Sequence, residues 1–157
     1  YMPDLKYSRS DSAARLSRAP DYPEKAKLAL KEMYRQVGDL QTGPDGVARR
    51  GLLVRHLVLP EDLAGSEECL RFLREELSPR VGLSLLSQYR PTYQAWRFES
   101  LSRPLRVEEY RRVVRIVQRL GFEEAYIQHM GCENDWFPDF SQEDPFRAYR
   151  KEREEEN

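Results

Sequence analysis

Asp4 and Lys6 stand two residues apart near the start of the chain, and Arg55 and His56 interrupt the apolar run Leu52–Leu59. Gln88 with Arg90, and Gln128 with His129, close two later apolar stretches. Alternation along an extended strand places Asp4 with Lys6 on one face and Gln88 with Arg90 on one face. Such a set of ionic and amide groups at strand ends could hold a charged small ligand. Alternatively, Lys6 beside Asp4 could act as a Schiff-base or proton-transfer lysine. A plainer use is an ion pair between Asp4 and Lys6 alone. Arg55 makes a stronger demand, because a guanidinium left unpaired within an apolar strand is costly. Its partner is Asp4, a helix C-terminus or a ligand carboxylate.

His56 points opposite to Arg55, toward covering helices if Arg55 faces the other way, and reads as a hydrogen-bonded core histidine; His129 is read in the same manner. Cys69 falls on an apolar helix face and reads as inert core, and Cys132 in Gly-Cys-Glu-Asn stands unaccompanied. The two cysteines form no CxxC or CxxxCxxC group, so no zinc or iron–sulfur ligand set is written in this chain.

The elements that must position these residues follow from periodicity. Tyr1–Tyr7 reads as the end of a strand, so the chain looks as though it starts in mid-fold. Asp11–Ser17 reads as a short helical turn. Asp21 and Glu24 offer a capping box with Pro23 in the first turn, ahead of a stripe of Ala26, Leu30, Met33, Tyr34 and Val37 that stops at Gly38. Gly43-Pro44-Asp45-Gly46 predicts a hairpin between Asp39–Thr42 and Val47–Leu59, the second arm running on into the strand that carries Arg55. A helix over Ser66–Leu77, a strand over Gly82–Tyr89, a helix over Arg106–Leu120 ending at Gly121 and a strand over Ala125–Met130 complete a βα rhythm. This alternation predicts an α/β fold: an incomplete (β/α) barrel or small open sheet of about four parallel strands, with covering helices and one β-hairpin extension. Residues 1–131 form one domain in this reading, and 132–157 a C-terminal extension ending in a charged tail.

The chain has 157 residues, with 26 Lys and Arg against 27 Asp and Glu, so its net charge of −1 gives no electrostatic reason to expect nucleic acid or an anionic membrane as partner. No apolar run reaches the length of a membrane span and no signal-peptide pattern opens the chain, which leads us to expect a cytoplasmic protein.

Several segments together resemble a known family: Pro3-Asp4-Leu5-Lys6-Tyr7, Ala19-Pro20-Asp21-Tyr22-Pro23, Met33–Gly38, Arg50–Pro60 and Ser87-Gln88-Tyr89-Arg90-Pro91, with Trp136–Phe140 and Pro145-Phe146 near the end. They are similar to radical S-adenosylmethionine (SAM) proteins related to pyruvate formate-lyase activating enzyme. The resemblance implies a partial barrel whose [4Fe–4S] cluster, held by a CxxxCxxC loop, cleaves SAM to a 5′-deoxyadenosyl radical. In the activating enzymes that radical takes a hydrogen atom from a glycine of a partner glycyl-radical enzyme. It also implies that this chain corresponds to the C-terminal half, since the cluster loop and the glycine-rich SAM segment are absent from it. Asp4, Leu5 and Lys6 match the family's Asp-Leu-Lys motif near SAM, and Arg55 matches its strand arginine before Leu59-Pro60. A SAM-contacting histidine of the activating enzymes has no equivalent here, and Gln88 stands closest to that place. The chain alone would then be inactive, contributing a wall of the SAM and substrate site. Its severed sheet edge at Tyr1–Tyr7 would either self-associate or come away from the sheet.

Overall fold

The structure is a computed structural model and describes residues 1–131 and Glu143. The expected C-terminal extension, 132–157, lies outside the described residues apart from Glu143, as do Cys132 and the Trp136–Phe140 segment.

Two helices come first, α1 (Ser10–Ser17) and α2 (Tyr22–Val37). Helix α2 has its Pro in the first turn as the sequence suggests, and Gly38 follows it at φ 69° with its N–H bonded to the Tyr34 carbonyl. The expected capping box is not formed, because Asp21 makes no side-chain cap bond. Strands β1 (Gln41–Thr42) and β2 (Ala48–Arg50) pair antiparallel around the Gly43–Gly46 turn, where Asp45 accepts from the Val47 N–H at 3.1 Å. The hairpin was therefore legible, but it forms a sheet of its own.

The main sheet contains β3 (Leu53–Leu57), β4 (Gly82–Leu86) and β5 (Ala125–Ile127), parallel and in that order. The connections are helical: α3 (Ser66–Phe72), which widens into a π-helical turn through Leu77, leads to β4, and α4 (Val107–Leu120) leads to β5. This corrects the expectation of an incomplete barrel of about four parallel strands. The described residues hold two small sheets, one of two antiparallel and one of three parallel strands, and no barrel. The opening segment falls short of a full strand. It runs beside β3 through bonds from the Leu53 N–H to Tyr1, the Arg55 N–H to Pro3, and the Leu5 N–H to Arg55, yet only Asp4 and Arg55 make a bridge. It is thus attached to the sheet rather than released from it.

One sheet face is buried. Val54, His56, Val58, Leu83 and Leu85 alternate inward and meet Leu30 of α2, Leu70 and Leu73 of α3, and Tyr110, Val113 and Val117 of α4. The other face carries Leu53, Arg55, Leu57, Ser84 and Leu86 and is only half-buried. Apolar residues lie on both faces of β3, and the fully buried ones lie on the His56 face alone. Gly51 joins hairpin to sheet at φ 112°, and a Cβ there would lie 2.2 Å from the Asp39 carbonyl oxygen, so this crossing requires glycine.

Candidate functional site

On the half-buried face the parallel register sets Asp4 beside Arg55 and Arg55 beside Ser84. Arg55 is 40% exposed, and its Nε donates to Asp4 Oδ1 at 2.6 Å. Lys6 Nζ donates to the other carboxylate oxygen, Oδ2, at 3.0 Å. Partial burial by itself would raise the Asp4 pKa, but the hydrogen bonds from Arg55 and Lys6 outweigh it and hold the carboxyl below its ordinary value. One carboxylate is thus shared between two cations. The anion that Arg55 demanded is Asp4, and the guanidinium and ammonium still have further N–H donors.

Leu5 has a different part. Its side chain is buried, its N–H bonds to the Arg55 carbonyl and its own carbonyl lies 2.7 Å from His56 Nδ1. Since a carbonyl only accepts, His56 carries its proton on Nδ1, and Nε2, 2.9 Å away, accepts from the Ser66 hydroxyl. His56 is fully buried and burial pushes its pKa down, so the ring is neutral. It is a core histidine that ties the opening segment to α3. Gln88 lies just beyond β4, where its Oε1 accepts from Gln128 Nε2 at 3.2 Å, while Gln128 Oε1 accepts from the Ser87 N–H. The structure therefore brings Asp4, Lys6 and Arg55 together, places Leu5 behind them, and leaves Gln88 on a separate amide pair. Of His129, the backbone carbonyl accepts from the Ser87 hydroxyl at 2.9 Å.

A residue that the sequence reading passed over completes the arrangement. The Tyr22 hydroxyl donates to the Asp4 carbonyl at 3.0 Å and accepts from the Lys6 N–H at 2.9 Å, fixing the backbone on either side of Leu5. Tyr22 stands at a helix start and within the Ala19–Pro23 segment, and a tyrosine in a first turn gives no hint of which distant segment its hydroxyl will meet. Beside Lys6 opens a cavity of about 230 Å³ lined by Tyr7, Leu16, Leu57, Leu59, Tyr89 and Leu101. A charged rim next to an apolar hollow suits a ligand with one ionic end.

The chain has two cysteines, fewer than the three of a CxxxCxxC loop. Cys69 is buried, and burial pushes its thiol up to about 12, so it is protonated at neutral pH. An iron–sulfur cluster does not fit these residues. Among the described residues, no helix is long and apolar enough to cross a membrane.

No family model matches the chain. A curated relative from Methanocaldococcus jannaschii, described as an uncharacterized protein, is 24% identical over 127 residues, covering 80% of this chain and 33% of its own length. The chain thus spans about a third of the curated relative it matches. No solved structure matches it.

Proposed function

We propose that the chain forms one wall of a SAM and substrate site in a longer radical SAM protein related to pyruvate formate-lyase activating enzyme, with the cluster held by another part of that protein. The observation that carries this reading is the Asp4 carboxylate shared by Lys6 and Arg55 on the sheet face left half-buried. The similarity of Pro3–Tyr7 and Arg50–Pro60 to that family supports it, as does a relative roughly three times as long as the matched region.

Lys6 or Arg55 would take the carboxylate of the methionyl end of SAM through donors that Asp4 leaves available. Asp4 or Gln88 would hydrogen-bond amino or hydroxyl groups. With a cluster bound elsewhere, the cofactor pair supplies one-electron cleavage to a carbon radical. No step through the cluster can be assigned to this chain's side chains. The longer protein would work in the cytoplasm, with a glycyl-radical enzyme as the class of protein substrate, and the edge of the Tyr1–Tyr7 segment is where another chain or segment would associate.

A lysine nucleophile is the less favoured alternative. Lys6 is 53% exposed and hydrogen-bonded to a carboxylate, so its ammonium is reached by solvent and charge-paired, whereas an activated Schiff-base lysine is desolvated.

Titrating the chain with SAM while following its backbone amides by NMR tests the proposal. Shifts should cluster at Asp4, Lys6, Arg55 and Ser84 and shrink in Arg55→Ala. Shifts confined to other regions, or unchanged in that variant, would defeat the SAM wall. Anaerobic incubation with iron and sulfide should leave no cluster absorption band on the chain, and a band with bound iron would overturn the external cluster.

A further inference from the structure

A second chamber, of about 580 Å³, lies beyond the cavity beside Lys6 and shares Leu16, Tyr89 and Leu101 with it. Its walls are the end of α1, the loop after β4 and the two short turns at Ala95–Arg97 and Glu99–Leu101. The volume is that of a site for a small ligand. Its lining differs from the rest of the molecule in charge. In a chain with nearly equal numbers of acids and bases, the chamber is bordered by Arg15, Arg18, Arg90 and Arg97 and by no Asp or Glu.

Elsewhere Arg9, Arg35, Arg49, Arg55, Arg71, Arg80, Arg103 and Arg119 each reach a carboxylate, and Arg50 and Arg74 donate to backbone carbonyls. Arg15, Arg18 and Arg97 are exposed and make no ion pair among the described residues. The Arg15 guanidinium lies over the Phe98 ring, 5.6 Å from its centroid, a contact that orients the group without using its N–H donors. The backbone adds a further mark. Tyr93, in the loop after β4, is one of four described non-glycine residues with positive φ, at 50°, and is 89% exposed; Arg18, at 54°, is another, as the left-handed cap that ends α1. Backbone held in this sparsely used region collects at ligand sites.

We propose that this chamber binds a small phosphate-bearing anion with a planar ring, of the nucleoside monophosphate kind. Guanidinium groups offer paired N–H donors that match phosphate oxygens, and the exposed Tyr93 offers a face for the ring. The inference is independent of the radical SAM reading, because it uses none of Asp4, Lys6 and Arg55.

The test is calorimetric titration of the full chain with AMP, adenosine and inorganic phosphate. AMP should bind tightest, with salt weakening it. Arg97→Ala and Arg18→Ala should each weaken AMP about tenfold or more, whereas Arg49→Ala, which alters an arginine on hairpin strand β2, should not. Tyr93→Ala should narrow the gap between AMP and phosphate. Unchanged thermal melting of these surface variants would separate lost binding from lost folding. The proposal is overturned if AMP does not bind, if adenosine binds as well as AMP, or if the arginine variants bind AMP like the wild type. Loss of SAM-induced shifts at Arg55 with AMP binding intact would defeat the radical SAM reading alone.

Discussion

Arg55 holds Asp4 from two sides at once. Its backbone N–H and carbonyl bond to Pro3 and Leu5, the residues flanking Asp4, while its Nε reaches the Asp4 carboxylate at 2.6 Å. The side-chain pair therefore acts on a backbone contact that already exists, and it fixes orientation more than it adds stability. Because both side chains remain partly open to solvent, a double-mutant cycle with Arg55→Ala and Asp4→Ala should give a coupling of only about 0.5–1 kcal/mol in urea unfolding. A coupling several times larger would show that the site is much drier than its exposure indicates.

His56 should make stability depend on pH near neutrality. Its folded pKa lies below 6.5, so the unfolded chain binds the extra proton first. The contribution is complete above pH 6.5 and is lost as pH falls below that value toward the folded pKa. Urea midpoints should drop between pH 7.5 and 5.5 in the wild type, and much less in His56→Ala. That variant should itself cost about 2–4 kcal/mol, because it opens a cavity and strips Leu5 and Ser66 of their partner. Amide exchange at Leu5 should quicken more than exchange in α4.

Glu109 anchors the start of α4. Its carboxylate accepts two bonds from Arg103, at 2.9 and 2.8 Å, and one each from the backbone N–H groups of Arg106 and Glu61, both at 2.9 Å. Hydrogen bonding from Arg103, more than offsetting burial, brings its pKa down to about 2. The stabilisation is therefore present above the ordinary value of 4.5 and is lost as pH falls toward 2. Glu109→Ala should cost about 1.5–3 kcal/mol at pH 7 and show a smaller penalty when both proteins are melted at pH 3.

Two glycine substitutions should separate crowding from backbone strain. Gly121, at φ 67°, has open space where a Cβ would sit, so Gly121→Ala should cost about 1 kcal/mol. At Gly51 the Cβ would also strike the Asp39 carbonyl, so Gly51→Ala should cost clearly more, and equal thermal shifts for the two would refute the close crossing.

Local chemistry was the legible part of this fold. The stripe of α4, the Pro in the first turn of α2 and the Gly-Pro-Asp-Gly turn each act within a few residues, and each is found where the sequence places it. The opposed directions of Arg55 and His56 followed from alternation alone. The barrel did not follow, because strand count and closure depend on pairings between distant segments. Tyr1–Tyr7 reads as the end of a strand in isolation but makes only one bridge, Asp4 with Arg55. Tyr22 and the arginine-lined chamber were illegible for a related reason: their meaning comes from residues that are far away in sequence and adjacent only after α1, α2 and the loop after β4 have packed.

The hydroxyl of Tyr22 also limits what can lie along the outer margin of the opening segment. Even-numbered residues there turn their backbone groups away from β3, since Tyr1, Pro3 and Leu5 supply the groups facing it. The Asp4 carbonyl and the Lys6 N–H, which would continue a ladder outward, are already taken by that hydroxyl. A neighbouring strand can therefore register against Met2 and the N–H of Asp4, and then meets a phenol that ends the ladder. The side chain of α2 works as a stop: it fixes how far any added strand can zip and keeps the backbone at Lys6 out of the ladder.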